Sequence, residues 1–207
     1  GRSASGSAAQ RNAPFVFLSV VDAINPRKNL RGLLTAYGLL RKMTARPVHL
    51  LLKQYRLDMD FSGIEGVSSI TGDLSEGRMA ALYGSCDAYV SAHHSEGWGL
   101  GLSSAMAFGK PVIATGYSGN MQFMNNANSL PVPYSLVPVS QEMCKMVPLF
   151  TSEMRWAEPD LAAMAGLMRR AAEGRLDPGL PGQAAAIVRS FGFAGIMKRL
   201  EELLAGS

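Results

Sequence analysis

An acid placed directly before a glycine-punctuated turn is the feature of this chain with the clearest chemical potential. The stretch from Ser91 to Thr115 reads SAHHSEGWGLGLSSAMAFGKPVIAT, with Glu96 leading into Gly97-Trp98-Gly99-Leu100-Gly101 and a helical pattern continuing through Met106. Glycines let backbone N–H groups approach an anion, and a helix N-terminus adds partial positive charge, so such a turn is a seat for phosphate. A carboxylate at its mouth can hold sugar hydroxyls while the amides behind it meet the phosphate. The plainer role for Glu96 is a capping acid, worth about 0.5–1 kcal/mol near a helix start. Arg27 and Lys28 follow the polar turn Asp22-Ala23-Ile24-Asn25-Pro26 and precede a helical pattern. Cations at a helix start oppose the dipole, so this placement suits the grip of a diphosphate better than it suits two solvated charges. His93 and His94 are adjacent and point apart in extended backbone, one packed and the other towards the cleft. They lack further ligands nearby, so no metal site is expected.

Two other nucleotide motifs fail. Gly109-Lys110 is followed by Pro111 where a P-loop needs Ser or Thr. A dinucleotide fingerprint needs an acid about 20 residues beyond its glycines, and from Gly97 through Gln141 there is neither Asp nor Glu.

The elements that must carry these residues alternate. Phe15–Val21, Val48–Leu52, Val67–Thr71, Ala88–Val90 and Val112–Ala114 are short apolar runs of strand type. Between them, Leu30, Leu33, Leu34, Tyr37 and Leu40 repeat at helical spacing towards Met43, and Leu74–Tyr83 is a short helix with its start marked by Ser75. Strand and helix in turn up to Val132 predict an α/β fold, a doubly wound parallel sheet with its ligand at the carboxyl ends of the strands. Further on, Met121–Met124 begins a helix, Leu130–Tyr134 is an edge strand, and Val137–Phe150 fits no one pattern. Pro159 suits a first helical position. Gly174–Gly182 reads as a Pro/Gly loop, and Phe193–Leu204 as a last helix packed with its predecessor on the sheet.

Composition sets the limits. The 207 residues are 47% hydrophobic with a net charge of +4, enough for one buried domain over residues 15–207. Residues 1–14, GRSASGSAAQRNAP, read as a linker or expression remnant without a secretory pattern. Cys86 and Cys144 form no close pair, which suits a reducing, cytoplasmic setting. No apolar run reaches the roughly 20 residues of a membrane span. The basic balance suits an anionic ligand or peripheral contact with the inner face of an anionic membrane. Arg and Lys are scattered and not interleaved with aromatics, so nucleic acid is not an expected partner.

EGWGLGLSSAMAFGKPVIAT, with Gly116-Tyr117-Ser118-Gly119-Asn120 and Trp156-Ala157-Glu158-Pro159-Asp160, resembles the C-terminal domain of retaining GT-B glycosyltransferases of the family-4 group. The resemblance runs in order over most of residues 15–205. It implies a Rossmann-like donor domain that transfers a hexose from a nucleoside diphosphate sugar to the hydroxyl of a glycan or lipid-linked acceptor, with retention, in polysaccharide biosynthesis. It implies no metal or other cofactor, the sugar nucleotide being substrate, and an N-terminal acceptor domain that this chain does not contain. Glu96 then binds the sugar, Arg27 and Lys28 the diphosphate, and Gly97, Trp98, Gly99 and Leu100 line both. Thr71 and Gly72 lie beside the base. Two departures stand out. The family's Gly-Arg pair after the first strand is missing near Val21-Asp22, and its second glutamate, which holds the ribose, is Ser104 here. Water or another acid fills that gap, or donor binding is weak, or the domain is a non-catalytic binding module.

Overall fold

A computed structural model of the chain describes residues 13–192, 195–197 and 201. Strand β1 (Phe15–Asp22) buries Phe15, Phe17, Leu18 and Val21, and so packs on both faces, as a central parallel strand must. A 3-10 turn (Pro26–Lys28) leads into helix α1 (Leu30–Met43). Its Leu33, Ala36, Tyr37 and Leu40 form the buried stripe that helical periodicity requires. Strands β2 (Val48–Tyr55) and β3 (Val67–Ile70), helix α2 (Glu76–Ser85), strand β4 (Ala88–Ser91), helix α3 (Leu100–Ala107) and strand β5 (Val112–Thr115) follow in the expected alternation. Ser75 does cap α2, its side chain accepting from the Arg78 N–H.

With β6 (Leu130–Val132) the strands form one six-stranded sheet in the order β3-β2-β1-β4-β5-β6, parallel at every pairing. This is the doubly wound Rossmann-like order, and the chain changes direction of travel between β1 and β4, where a crevice opens above the strand ends. Two apolar layers flank the sheet. One joins Phe17, Val21, Leu50 and Leu52 to α1 and to α5 (Leu161–Ala172). The other joins Leu18, Tyr89 and Val112 to α2, α3 and α6 (Leu180–Ser190). Both faces are thereby covered, and the strand ends are left as the place for a polar site.

The second half of the chain departs from the sequence expectations. Tyr134–Pro138 (β7) pairs antiparallel with Arg155–Pro159 (β8) in a separate hairpin. Helix α4 (Gln141–Met146) lies between these strands, and Val139, Met143 and Trp156 make a small core of their own. Pro159 does not start a helix. It ends β8, and Asp160 caps α5 by accepting from the Ala163 N–H. A carboxylate that satisfies an orphan amide fixes the start better than a proline that only presets φ. The Gly174–Gly182 loop stops at Gly179, because Pro181 falls in the first turn of α6, where its missing N–H is not needed. Residues after Gly119 form a 3-10 turn (Gly119–Gln122), not a helix through Met124. Of the helix expected over Phe193–Leu204, only residues 195–197 and 201 are described, in helical conformation; the rest of that expectation lies outside the described residues.

Candidate functional site

The crevice between β1 and β4 is a cleft of ≈ 700 Å³. Val20, Val21 and Asp22 form its floor at the end of β1, and Arg27 and Lys28 overhang it from the 3-10 turn. Glu96, Gly97, Trp98 and Gly99 enter from the loop after β4, and Leu100, Gly101, Leu102 and Ser104 continue along α3. Tyr55, Met79, Tyr83 and Tyr89 close the remaining side. Eight of the ten residues singled out from the sequence (Glu96, Lys28, Arg27, Gly97, Trp98, Gly99, Leu100 and Ser104) thus meet in one cavity. Thr71 and Gly72 do not. They line a separate hollow of ≈ 310 Å³ with Arg56, Asp58 and Asp73, and Tyr55 borders both this hollow and the main cleft.

Lys28 Nζ donates to Glu96 Oε1 at 2.6 Å, across 68 residues of sequence. The Glu96 side chain is 7% exposed and the Lys28 side chain 24%, so the bond is partly shielded and charge-assisted. Glu96 therefore serves as the partner of a cation and not as a helix cap. The cap position of α3 belongs to Gly99, at φ 86° and with no side-chain bond. That φ is open to glycine at little cost. Helix ends leave their first amides without intrahelical partners, so the uncapped start of α3 offers N–H groups to the cleft beside the Lys28 ammonium. Asn25 and Asn29 shape the cationic turn. Asn25 Oδ1 accepts from the Arg27 N–H, and Asn29, in left-handed conformation (φ 48°), caps α1 by accepting from the Gly32 N–H at 3.0 Å.

Of the two histidines, one is packed as expected, but the other does not line the cleft. Both are buried. His93 bonds Ser91 Oγ through Nδ1 and Asn120 Oδ1 through Nε2, and burial pulls its pKa down to about 4, opposed by the nearby Glu96 charge. His94 stacks on Trp156 at 4.2 Å between ring centroids and bonds the Ala157 carbonyl through Nδ1. Its backbone N–H donates to the Arg27 carbonyl at 2.8 Å. His94 thus ties the cationic turn to the β7–β8 hairpin, an element that periodicity did not reveal. Among the described residues no group of three or more His, Cys, Asp or Glu is placed to hold a metal ion.

Other lining residues carry weaker sequence signals. Asp22 ends β1 and pairs with Arg56 through Oδ2. Its Oδ1, like Arg27 Nε, is sealed from solvent without a partner. Ser104 lies against the Tyr83 phenol, whose pKa burial raises to about 12 while the bond with Ser104 opposes the rise. A neutral pair of hydroxyls thus occupies the position where a carboxylate was expected. Placement at the carboxyl end of a strand would have flagged Asp22 and Tyr55. Nothing local flags Met79, Tyr83 or Tyr89.

Fold and cleft together define a Rossmann-like domain with an open crevice at the switch between β1 and β4, faced by a helix N-terminus and by the cations Arg27 and Lys28. The chain belongs to the family described as glycosyl transferases group 1, whose model matches residues 7–133, more than half of its length. It is 27% identical over 128 residues to the O-antigen chain mannosyltransferase B of Escherichia coli, an overlap of 58% of this chain and 34% of that protein. Among solved structures it resembles HepE of Anabaena in complex with UDP and glucose, with TM-score 0.64 and 18% identity over 99% of this chain and 53% of that one. It also resembles the pneumococcal O-GlcNAc transferase GtfA in complex with UDP and GlcNAc, with TM-score 0.59 and 16% identity over 96% of this chain and 37% of that one. These neighbours share the GT-B fold. The chain spans about a third to a half of the length of the relatives it matches.

Proposed function

We propose that this chain is the donor-binding domain of a retaining hexosyltransferase that takes a nucleoside diphosphate sugar as substrate. The observation that carries the reading is the Lys28–Glu96 pair at the mouth of an uncapped helix start, inside a cavity that gathers the glycine turn and Arg27. A diphosphate entering there meets Lys28, Arg27 and the first amides of α3. These are fixed positive groups where charge develops as the sugar departs, and they lower the barrier without the solvent reorganisation that bulk water needs. As Lys28 turns to the phosphates, Glu96 gains freedom to accept hydroxyl groups of the sugar. Gly97 and Gly99 keep the backbone close to both. The charge work falls to protein groups, so the reading requires no metal.

Family membership, the mannosyltransferase relative and the two neighbours solved with UDP support a sugar nucleotide as ligand. The acceptor, a hydroxyl of a glycan or lipid-linked glycan, is assigned to a further domain, since the chain covers only part of its relatives. The proposed setting is cytoplasmic, at the inner membrane face, in envelope or polysaccharide synthesis. Among the described residues no helix is long and apolar enough to cross a membrane. Residues 15–207 are proposed as the folded unit.

Ser104 favours a second reading, a binding module without catalysis, because a neutral Ser104–Tyr83 pair replaces the expected acid. Glu96→Ala decides between them. It abolishes sugar nucleotide binding on the first reading, and unchanged binding contradicts it. Ser104→Glu tightens nucleoside diphosphate binding if the lost carboxylate is what weakens the site.

A further inference from the structure

We infer that Ser118 is a positioning residue for Glu96, held in a conformation normally left to glycine so that its hydroxyl can fix the backbone of that acid. This rests on the reading of the cleft given above and concerns a residue outside the cleft lining. Ser118 has φ 73° and ψ −148°, a region that side chains strain to occupy and that persists where the surroundings enforce it, above all at functional sites. The surroundings here are specific. The Ser118 hydroxyl gives its single hydrogen to the Tyr117 carbonyl at 2.6 Å, and its oxygen accepts from the Glu96 N–H at 2.7 Å. The next amide, Gly119 N–H, donates to the Glu96 carbonyl at 3.0 Å. Both polar groups of the Glu96 backbone are therefore taken by two successive residues of the loop after β5.

The loop cannot retreat from this contact or be replaced by a bulkier one. A Cβ on Gly119 would stand 1.6 Å from the Gly97 carbonyl oxygen, so the two loops touch backbone to backbone. Asn120, fully buried, anchors the far side by donating to the Thr115 carbonyl and meeting His93 Nε2. A serine that merely filled a turn would gain from replacement by glycine, because the strain would vanish. The bond to Glu96 gives a reason for a serine at this position. Fixing the Glu96 backbone sets the height from which its side chain meets Lys28 and, on the proposed function, the sugar.

The test compares binding of a sugar nucleotide with binding of its diphosphate alone. The 207-residue chain and its Ser118→Gly and Ser118→Ala variants are titrated with UDP, GDP and ADP and with UDP-glucose, GDP-mannose and ADP-glucose. Thermal melting is measured alongside. Glycine relieves the strain but leaves the Glu96 N–H without its acceptor, so Ser118→Gly melts close to the native chain, whereas Ser118→Ala keeps the strain, loses the same bond and melts lower. Both variants lose about five- to tenfold in affinity for the sugar nucleotide, the worth of one hydrogen bond, while affinity for the diphosphate stays unchanged. A Ser118→Gly variant that is more stable and binds both ligands as well as the native chain overturns the inference, as does parallel weakening towards both ligands. If the native chain binds none of the six ligands, the reading of the cleft fails and this inference with it.

Discussion

Glu96 and Lys28 carry the argument at the scale of single residues, and they are coupled. Each is the charged partner of the other at 2.6 Å in a partly shielded setting, and removing one member of a shielded pair strands the other. Lys28→Ala is therefore expected to weaken diphosphate binding at least tenfold, since it removes a charge-assisted contact of about 1.5–3 kcal/mol; titration with the diphosphate that binds the native chain checks it. His93 gives a second prediction at this scale. Its folded pKa, about 4, lies below its unfolded value of 6.5, so the unfolded chain binds more protons between those limits. Stability tied to neutral His93 is complete above pH 6.5 and falls as pH drops towards 4. Chemical denaturation between pH 7 and pH 5 should show this loss, and His93→Gln should flatten it. An identical slope in the variant would remove His93 from the account.

At the scale of elements, the start of each helix decides where the chemistry stands. Asn29 holds two offices, closing the cationic turn and capping α1 from a left-handed conformation. Asn29→Ala should cost about 1–2 kcal/mol, through the lost cap and the unfavourable φ, whereas Asn29→Gly should cost a few tenths. Denaturation curves of the two variants check this, and equal losses would show that the left-handed φ contributes nothing. The strands and α-helices up to β5 were legible because their signals are local: apolar runs of three to seven residues, helical spacing, and a serine at the start of α2. The β7–β8 hairpin was not legible, for β7 is largely exposed and holds Pro138. An exposed strand shows no alternation of apolar and polar residues, and its partner begins 17 residues after β7 ends, at Arg155. Helix α6 was hidden because Pro181 and Gly182 read as breakers, although a proline in the first turn is a start signal.

The candidate site was legible to a different degree, for a physical reason that belongs to the molecule as a whole. The glycine turn, Glu96, Arg27 and Lys28 declare their chemistry by residue type, and a doubly wound sheet brings strand ends together wherever they fall in sequence. Tyr55, Met79, Tyr83 and Tyr89 enter the cleft only through packing, which no local pattern records. Thr71 and Gly72 were taken from the resemblance, and they stand in the neighbouring hollow because β3 lies two strands away from β1 at the sheet edge. The chain covers about a third to a half of its relatives, so on the proposed function it binds donor but transfers no sugar by itself. A transfer assay with radiolabelled sugar nucleotide should show no glycan product from the chain alone.

The central claim is that the cleft between β1 and β4 is a seat for a nucleoside diphosphate. Calorimetric titration of the 207-residue chain with UDP, GDP, ADP and NAD tests it most directly. The account predicts saturable binding of one of the three diphosphates and none of NAD, with the heat lost in both Lys28→Ala and Arg27→Ala. Binding that survives both substitutions, preference for NAD, or no heat with any ligand at millimolar concentration would contradict it.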